Sequence, residues 1–129
     1  MKNRWKNIGL LIVFGFCLGA QAQVEKTTNQ FTELQRSLIM NGDASKPMRV
    51  FKINSESDSL LLRENSKMVD VDPKDPTLQR LVDRMYATVR DSMSLGAGIA
   101  APQVGVLKRI AWVQRFDKPD FPFEVILIQ

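Results

Sequence analysis

Gly96 to Gly105, GAGIAAPQVG, packs three glycines, three alanines, a proline and one amide side chain, Gln103, into ten residues. Backbone this bare lets an extended ligand lie directly against the chain and pair with its N–H and C=O groups as an added strand does. An amide beside such a surface can donate to an oxygen that gains negative charge during acyl transfer. On this reading Gly96, Ala97 and Gly98 form a substrate-binding wall, Ala100 and Ala101 keep its floor low, and Gln103 is the oxyanion donor. Two other readings compete. The letters satisfy G-x-G-x-x-A, but a dinucleotide fingerprint needs a strand before the glycines and a helix after them, and here a helical pattern precedes and Pro102 breaks the chain behind them. A plain glycine turn between helix and strand explains Gly96 and Gly98, but not Ala100-Ala101 followed by Gln103. The wall is a site for a peptide.

The elements that must hold this stretch lie on both sides of it. Upstream, Leu78, Leu81, Val82, Met85, Tyr86, Val89 and Met93 recur at helical spacing, while Arg80, Asp83, Arg84, Arg90 and Asp91 fall mostly on the other face. Asp75 followed by Pro76 is a helix start, an N-cap acceptor before a residue whose missing N–H would have had no partner. The spacing predicts an amphipathic helix from Pro76 to about Ser94, its apolar stripe core. Downstream, Leu107–Gln114 alternates as a strand, Arg115–Pro122 reads as a turn-rich loop, and Phe123–Gln129 begins a hairpin partner. Nearer the start, Phe31–Met40 has the spacing of a short helix. Arg49–Ile53 alternates as a short strand or extended arm, Asn54–Ser59 is a polar turn, and the charged stretch from Leu60 to Pro76 reads as irregular.

The first 22 residues read differently. Lys2, Arg4 and Lys6 precede an uncharged apolar run, Ile8–Ala20, and Ala20-Gln21-Ala22 offers a small-x-small cleavage site, the layout of a secretory signal peptide. The run is shorter than the roughly 20 residues of a spanning helix. The expectation is a cleaved signal at 1–22 and export to the periplasm or cell envelope, with membrane association only if the leader is retained. A start at Met40 or Met48 would instead leave a cytoplasmic protein. Residues 23–47 read as a leader with one short helix. Three of the 18 Lys and Arg lie in the signal, which leaves 15 against 14 acidic residues, and no basic stripe remains to bind nucleic acid. The one cysteine, Cys17, lies in the signal too, and there is no histidine.

Gly96-Ala-Gly-Ile-Ala-Ala-Pro-Gln103 matches the first signature of the peptide deformylases, G-x-G-x-A-A-x-Q, at every fixed position. The capped helix upstream, the continuation QVGV, the strand RIAWVQ and the arm LLLRENSKMVD agree with it, so residues 48–129 resemble part of a peptide deformylase domain. The resemblance implies an α+β fold, incomplete here: an amphipathic helix followed by antiparallel strands, without the C-terminal half and its metal-binding helix. It implies a metallohydrolase that removes the formyl group from the N-terminal formylmethionine of nascent polypeptides and other N-formylated peptides. In the family Fe2+, replaceable by Zn2+, Ni2+ or Co2+, is held by the cysteine of E-G-C-L-S and the histidines of H-E-x-x-H. By resemblance Gln103 is an oxyanion donor, and Ala97 and Gly98 line the substrate groove and pair with the peptide backbone. Neither later motif occurs in this sequence. The expectation is a deformylase-like chain that binds no catalytic metal alone. The ending inside an apolar strand leads to the expectation of a truncated enzyme, and the alternative is a non-catalytic peptide-binding or remnant protein completed by a partner chain. Asp117, Asp120 and Glu124 are expected to be solvated rather than a ligand cluster.

Overall fold

A computed structural model of the protein describes residues 30–91 and 96–128; the signal peptide expected at 1–22, and Met93 of the helical stripe, lie outside them. Three helices, α1 (Glu33–Met40), α2 (Glu56–Leu62) and α3 (Pro76–Arg90), precede three strands, β1 (Gly98–Ala100), β2 (Ile110–Gln114) and β3 (Phe123–Leu127). The strands form one antiparallel sheet in the order β1-β2-β3.

The start of α3 is set by its cap. The Asp75 carboxylate accepts from Thr77 N at 2.8 Å and Leu78 N at 3.1 Å, which satisfies two of the amides that a first helical turn leaves free. Asp75→Ala is expected to lower stability by about 1 kcal/mol, read as a shift in the urea midpoint at unchanged slope. Leu78, Leu81, Met85 and Val89 are buried against Ile99, Val104, Val106 and Ile110, so the stripe is core as its spacing implies. Tyr86 is the exception. It sits at the margin, its ring centroid 5.0 Å from Trp112 and 5.8 Å from Phe123, and the Trp112 indole N–H donates to Val82 O at 2.7 Å, pinning sheet to helix.

Several expectations need correction. Arg84, assigned to the polar face, is only 5% exposed. Its guanidinium donates to Leu38 O, Ile39 O and Lys46 O at 2.8–3.0 Å, and it thereby caps the end of α1. Arg49–Ile53 forms no strand and stays an extended arm, while the stretch read as a turn and irregular chain contains α2. β2 begins at Ile110, three residues later than expected, because Lys108 and Arg109 are occupied by a bridge to Lys67. The hairpin of β2 and β3 is as its alternation implied, with Trp112 facing Val125.

The part of the 23–47 segment that is described packs into the same core. A capping box between Thr32 and Gln35 starts α1, and Phe31 and Ile39 are buried. Lys108, 2% exposed, donates its ammonium to Gln30 O at 2.7 Å, and its burial, with Lys67 nearby, holds its pKa below the usual lysine value.

Candidate functional site

The glycine stretch becomes an edge strand and a tight turn. β1 pairs with β2 on one side only, Gly98 opposite Val113 and Ala100 opposite Ala111, so its other edge is unpaired by any strand among the described residues. The side to which each backbone group turns is fixed by two hydrogen bonds. Ala97 O accepts from Gln114 N at 2.7 Å, toward β2, whereas Ala100 N donates to Gln103 Oε1 at 2.8 Å, away from it. Backbone groups alternate along a strand, so the N–H and C=O of Gly98 share the outward side with Ala100 N. Ala101–Val104 then makes one 3-10 turn, closed by Gly105 at φ 85°, where a side chain would be strained and its Cβ would meet the Phe51 ring at 2.8 Å.

Gly98 is needed for a second reason. A Cβ there would lie 2.7 Å from Trp112 O, so only glycine lets β1 approach β2 this closely.

The unpaired edge faces a cavity of about 280 Å³. Gly96, Gly98, Ile99 and Gln103 form one wall, Val50 and Lys52 the other, and Val89 of α3 contributes between them. The structure thus brings together three of the four residues singled out from the sequence. Ala97, the fourth, is exposed beside the cavity with its carbonyl already taken by Gln114. The opposite wall was not read from the sequence. It is the 48–52 arm, held by long-range bonds that no local pattern announces: Met48 N to Thr88 Oγ1 at 2.8 Å and Phe51 N to Gln103 O at 2.7 Å.

The arm is locked further by Asp58 of α2. Both its oxygens accept from the Arg49 guanidinium at 2.8 Å and one also from Lys52 N at 3.0 Å. The Arg49 hydrogen bonds, then that of Lys52 N, hold the Asp58 carboxyl below the usual carboxylate range.

Gln103 is oriented by the same network. Its Oε1 is spent on Ala100 N and its backbone oxygen on Phe51 N, while its Nε2 makes no hydrogen bond among the described residues, and the residue lines the cavity. An amide fixed through its oxygen presents its nitrogen as the donor. The site can therefore offer a strand edge to an extended chain and one N–H to an oxygen at its end.

It offers no metal cage. Among the described residues no three His, Cys, Asp or Glu side chains come together. Asp117 and Glu124 are occupied by Arg115, and Glu124 also by Lys118, in an ion-pair cluster on the hairpin; the Arg115 bond lowers the Asp117 pKa to about 2. A second cavity, about 340 Å³, lies between α3 and β3 and is lined mostly by apolar side chains such as Leu78, Val82, Val125 and Leu127. It shares no residue with the first.

Comparison with known proteins identifies the family. The chain is 35% identical over 63 residues to a peptide deformylase from Natranaerobius thermophilus, covering 49% of this chain and 37% of the relative. It is 33% identical over 72 residues to peptide deformylase 1 of Clostridium acetobutylicum, covering 56% and 45% respectively. A ligand-bound crystal structure of a class I type b peptide deformylase from Acinetobacter baumannii superposes with a TM-score of 0.52 at 28% identity, over 64% of this chain and 51% of that one. The chain spans less than half the length of these curated relatives. The family profile described as polypeptide deformylase matches residues 48–128, which include the arm, α3, the edge strand and Gln103, and the chain belongs to that family.

Proposed function

We propose that the cavity beside β1 binds the N-formylated end of a polypeptide, and that the chain serves the hydrolytic removal of the formyl group from N-terminal formylmethionine. The observation that carries this reading is the pairing of Gly98's outward backbone groups with a Gln103 amide whose oxygen is already engaged. The peptide lies along the strand edge, and Gln103 Nε2 donates to the formyl oxygen and more strongly to the oxyanion formed from it.

The family's metal does not fit the residues present. The 129 residues contain no histidine and one cysteine, Cys17, and the hairpin carboxylates are tied to cations. Hydrolysis by the family's chemistry therefore requires metal ligands from outside these residues. The missing histidines also favour a second reading, a non-catalytic peptide-binding protein completed by a partner chain. Transition-metal content of the protein isolated from its source cells separates the two: about one ion per chain supports the hydrolase, and none supports the binder. The leader supports export, so the peptides bound would be those met in the periplasm or cell envelope.

Calorimetric titration with formyl-Met-Ala-Ala and unformylated Met-Ala-Ala tests the groove itself. The formylated peptide is expected to bind more tightly, and Gln103→Ala to weaken it by about 2–10-fold, the loss of one neutral hydrogen bond. Equal affinity for the two peptides would remove the formyl group from the recognition.

A further inference from the structure

We propose that Lys52 makes the groove selective for peptides that carry a carboxylate side chain close behind the formylated end. The inference rests on the peptide reading of the cavity and adds a substrate class to it.

Among the described residues that line the cavity, Lys52 is the one that carries a charge; the others are Val50, Val89, Ile99, two glycines and Gln103. Its position is fixed by its backbone. Lys52 N donates to Asp58 at 3.0 Å, and the preceding residue, Phe51, donates its N–H to Gln103 O at 2.7 Å, so the arm holds Lys52 in the lining of the same cavity as the amide that would meet the formyl group. The carboxylate nearest in this network is already committed. Asp58 takes the Arg49 guanidinium on both oxygens and is neutralised by it. The Lys52 ammonium makes no ion pair among the described residues, and the residue is exposed to solvent. A cation in an otherwise uncharged cleft attracts an anionic ligand group and repels a cationic one. Lysine's flexible stem and compact charge suit a carboxylate whose position varies from peptide to peptide, unlike the rigid fork of arginine. Because the residue is open to water, the preference is modest and sensitive to salt.

The test is calorimetric titration of the whole chain at low ionic strength with formyl-Met-Ala-Ala, formyl-Met-Asp-Ala, formyl-Met-Ala-Asp and formyl-Met-Lys-Ala. At least one aspartate peptide is expected to bind about two- to fivefold more tightly than the alanine peptide, and the lysine peptide more weakly. Lys52→Glu should reverse this order, Lys52→Arg should keep it, and 0.5 M salt should flatten it. Circular dichroism of both variants checks that the fold is retained. Equal binding of the four peptides to the wild type, or an order that survives Lys52→Glu, overturns the proposal while leaving the groove intact. Failure of every formylated peptide to bind overturns the groove reading and this one with it.

Discussion

Arg84→Met is expected to lower the unfolding free energy by about 3–4 kcal/mol. The size comes from what the guanidinium serves. Leu38 O and Ile39 O belong to the last turn of α1, where carbonyls have no partner inside the helix, and Lys46 O lies in the loop beyond it. Methionine fills much of the same volume but donates nothing, so buried acceptors are left dry at roughly 1–3 kcal/mol each, partly offset where water can enter. α1 has eight residues, too few to persist alone, and it is attached to α3 by this cap, by Ile39 and by the Arg36 guanidinium, which donates to Thr77 Oγ1 at 2.9 Å. Arg80 adds one bond, to Gly42 O at 2.6 Å, and limits the loss. Arg84→Lys should recover less than half of it, since one ammonium cannot span three carbonyls in that geometry. Urea unfolding followed by circular dichroism measures both; a change under about 1 kcal/mol for methionine would mean that α1 does not need the cap.

Arg84 also marks where sequence reading fails. Its position among charged residues placed it on the solvated face of α3, and only the arrival of α1, some forty-five residues upstream, turned that face into an interface. The rest of α3 was legible because its signals are local: an acidic cap before proline, then apolar spacing over four turns. The β2–β3 hairpin was legible for the same reason. α2 was not. Ser55 makes no side-chain cap, Leu60, Leu61 and Leu62 run together without helical spacing, and the helix is anchored by Asp58 reaching back to the arm. β1 has no strand-forming composition apart from Ile99; three residues of glycine, isoleucine and alanine are strand because β2 lies beside them. Within the site, the residue types at 96–103 pointed to a bare wall and a donor, and these meet in one cavity. The opposite wall, Val50 and Lys52, depends on hydrogen bonds across about forty to fifty residues, which leave no periodic trace.

Gly98→Ala is expected to damage both the fold and the groove, and Gly96→Ala only the groove. At Gly98 the new Cβ would lie 2.7 Å from the Trp112 carbonyl oxygen, a backbone atom held in the middle of the sheet, so β1 itself must move. Such overpacking typically costs about 1–3 kcal/mol, and the immobility of the neighbour puts this case at the upper end. The displacement also misaligns Gly98's own N–H and C=O, the groups a bound peptide would pair with, so affinity for formyl-Met-Ala-Ala should fall by more than about tenfold, two strand-type hydrogen bonds being lost together. Tryptophan fluorescence in a Trp5→Phe background reports the first effect, because the Trp112 ring packs 5.0 Å from Tyr86 and its indole N–H is bonded to α3. At Gly96 the Cβ would meet Gly98 O and a Val89 methyl at 3.4 Å, ordinary contact, and its φ is not in the left-handed region. Stability there should change by less than about 0.5 kcal/mol, since the site accepts a methyl without strain. Any loss of peptide affinity at Gly96 is then steric narrowing of the cavity, with the sheet intact. If instead Gly98→Ala keeps both the urea midpoint and the affinity, the close approach of β1 to β2 is not what glycine is for at that position, and the outward edge of Gly98 is not where the peptide pairs.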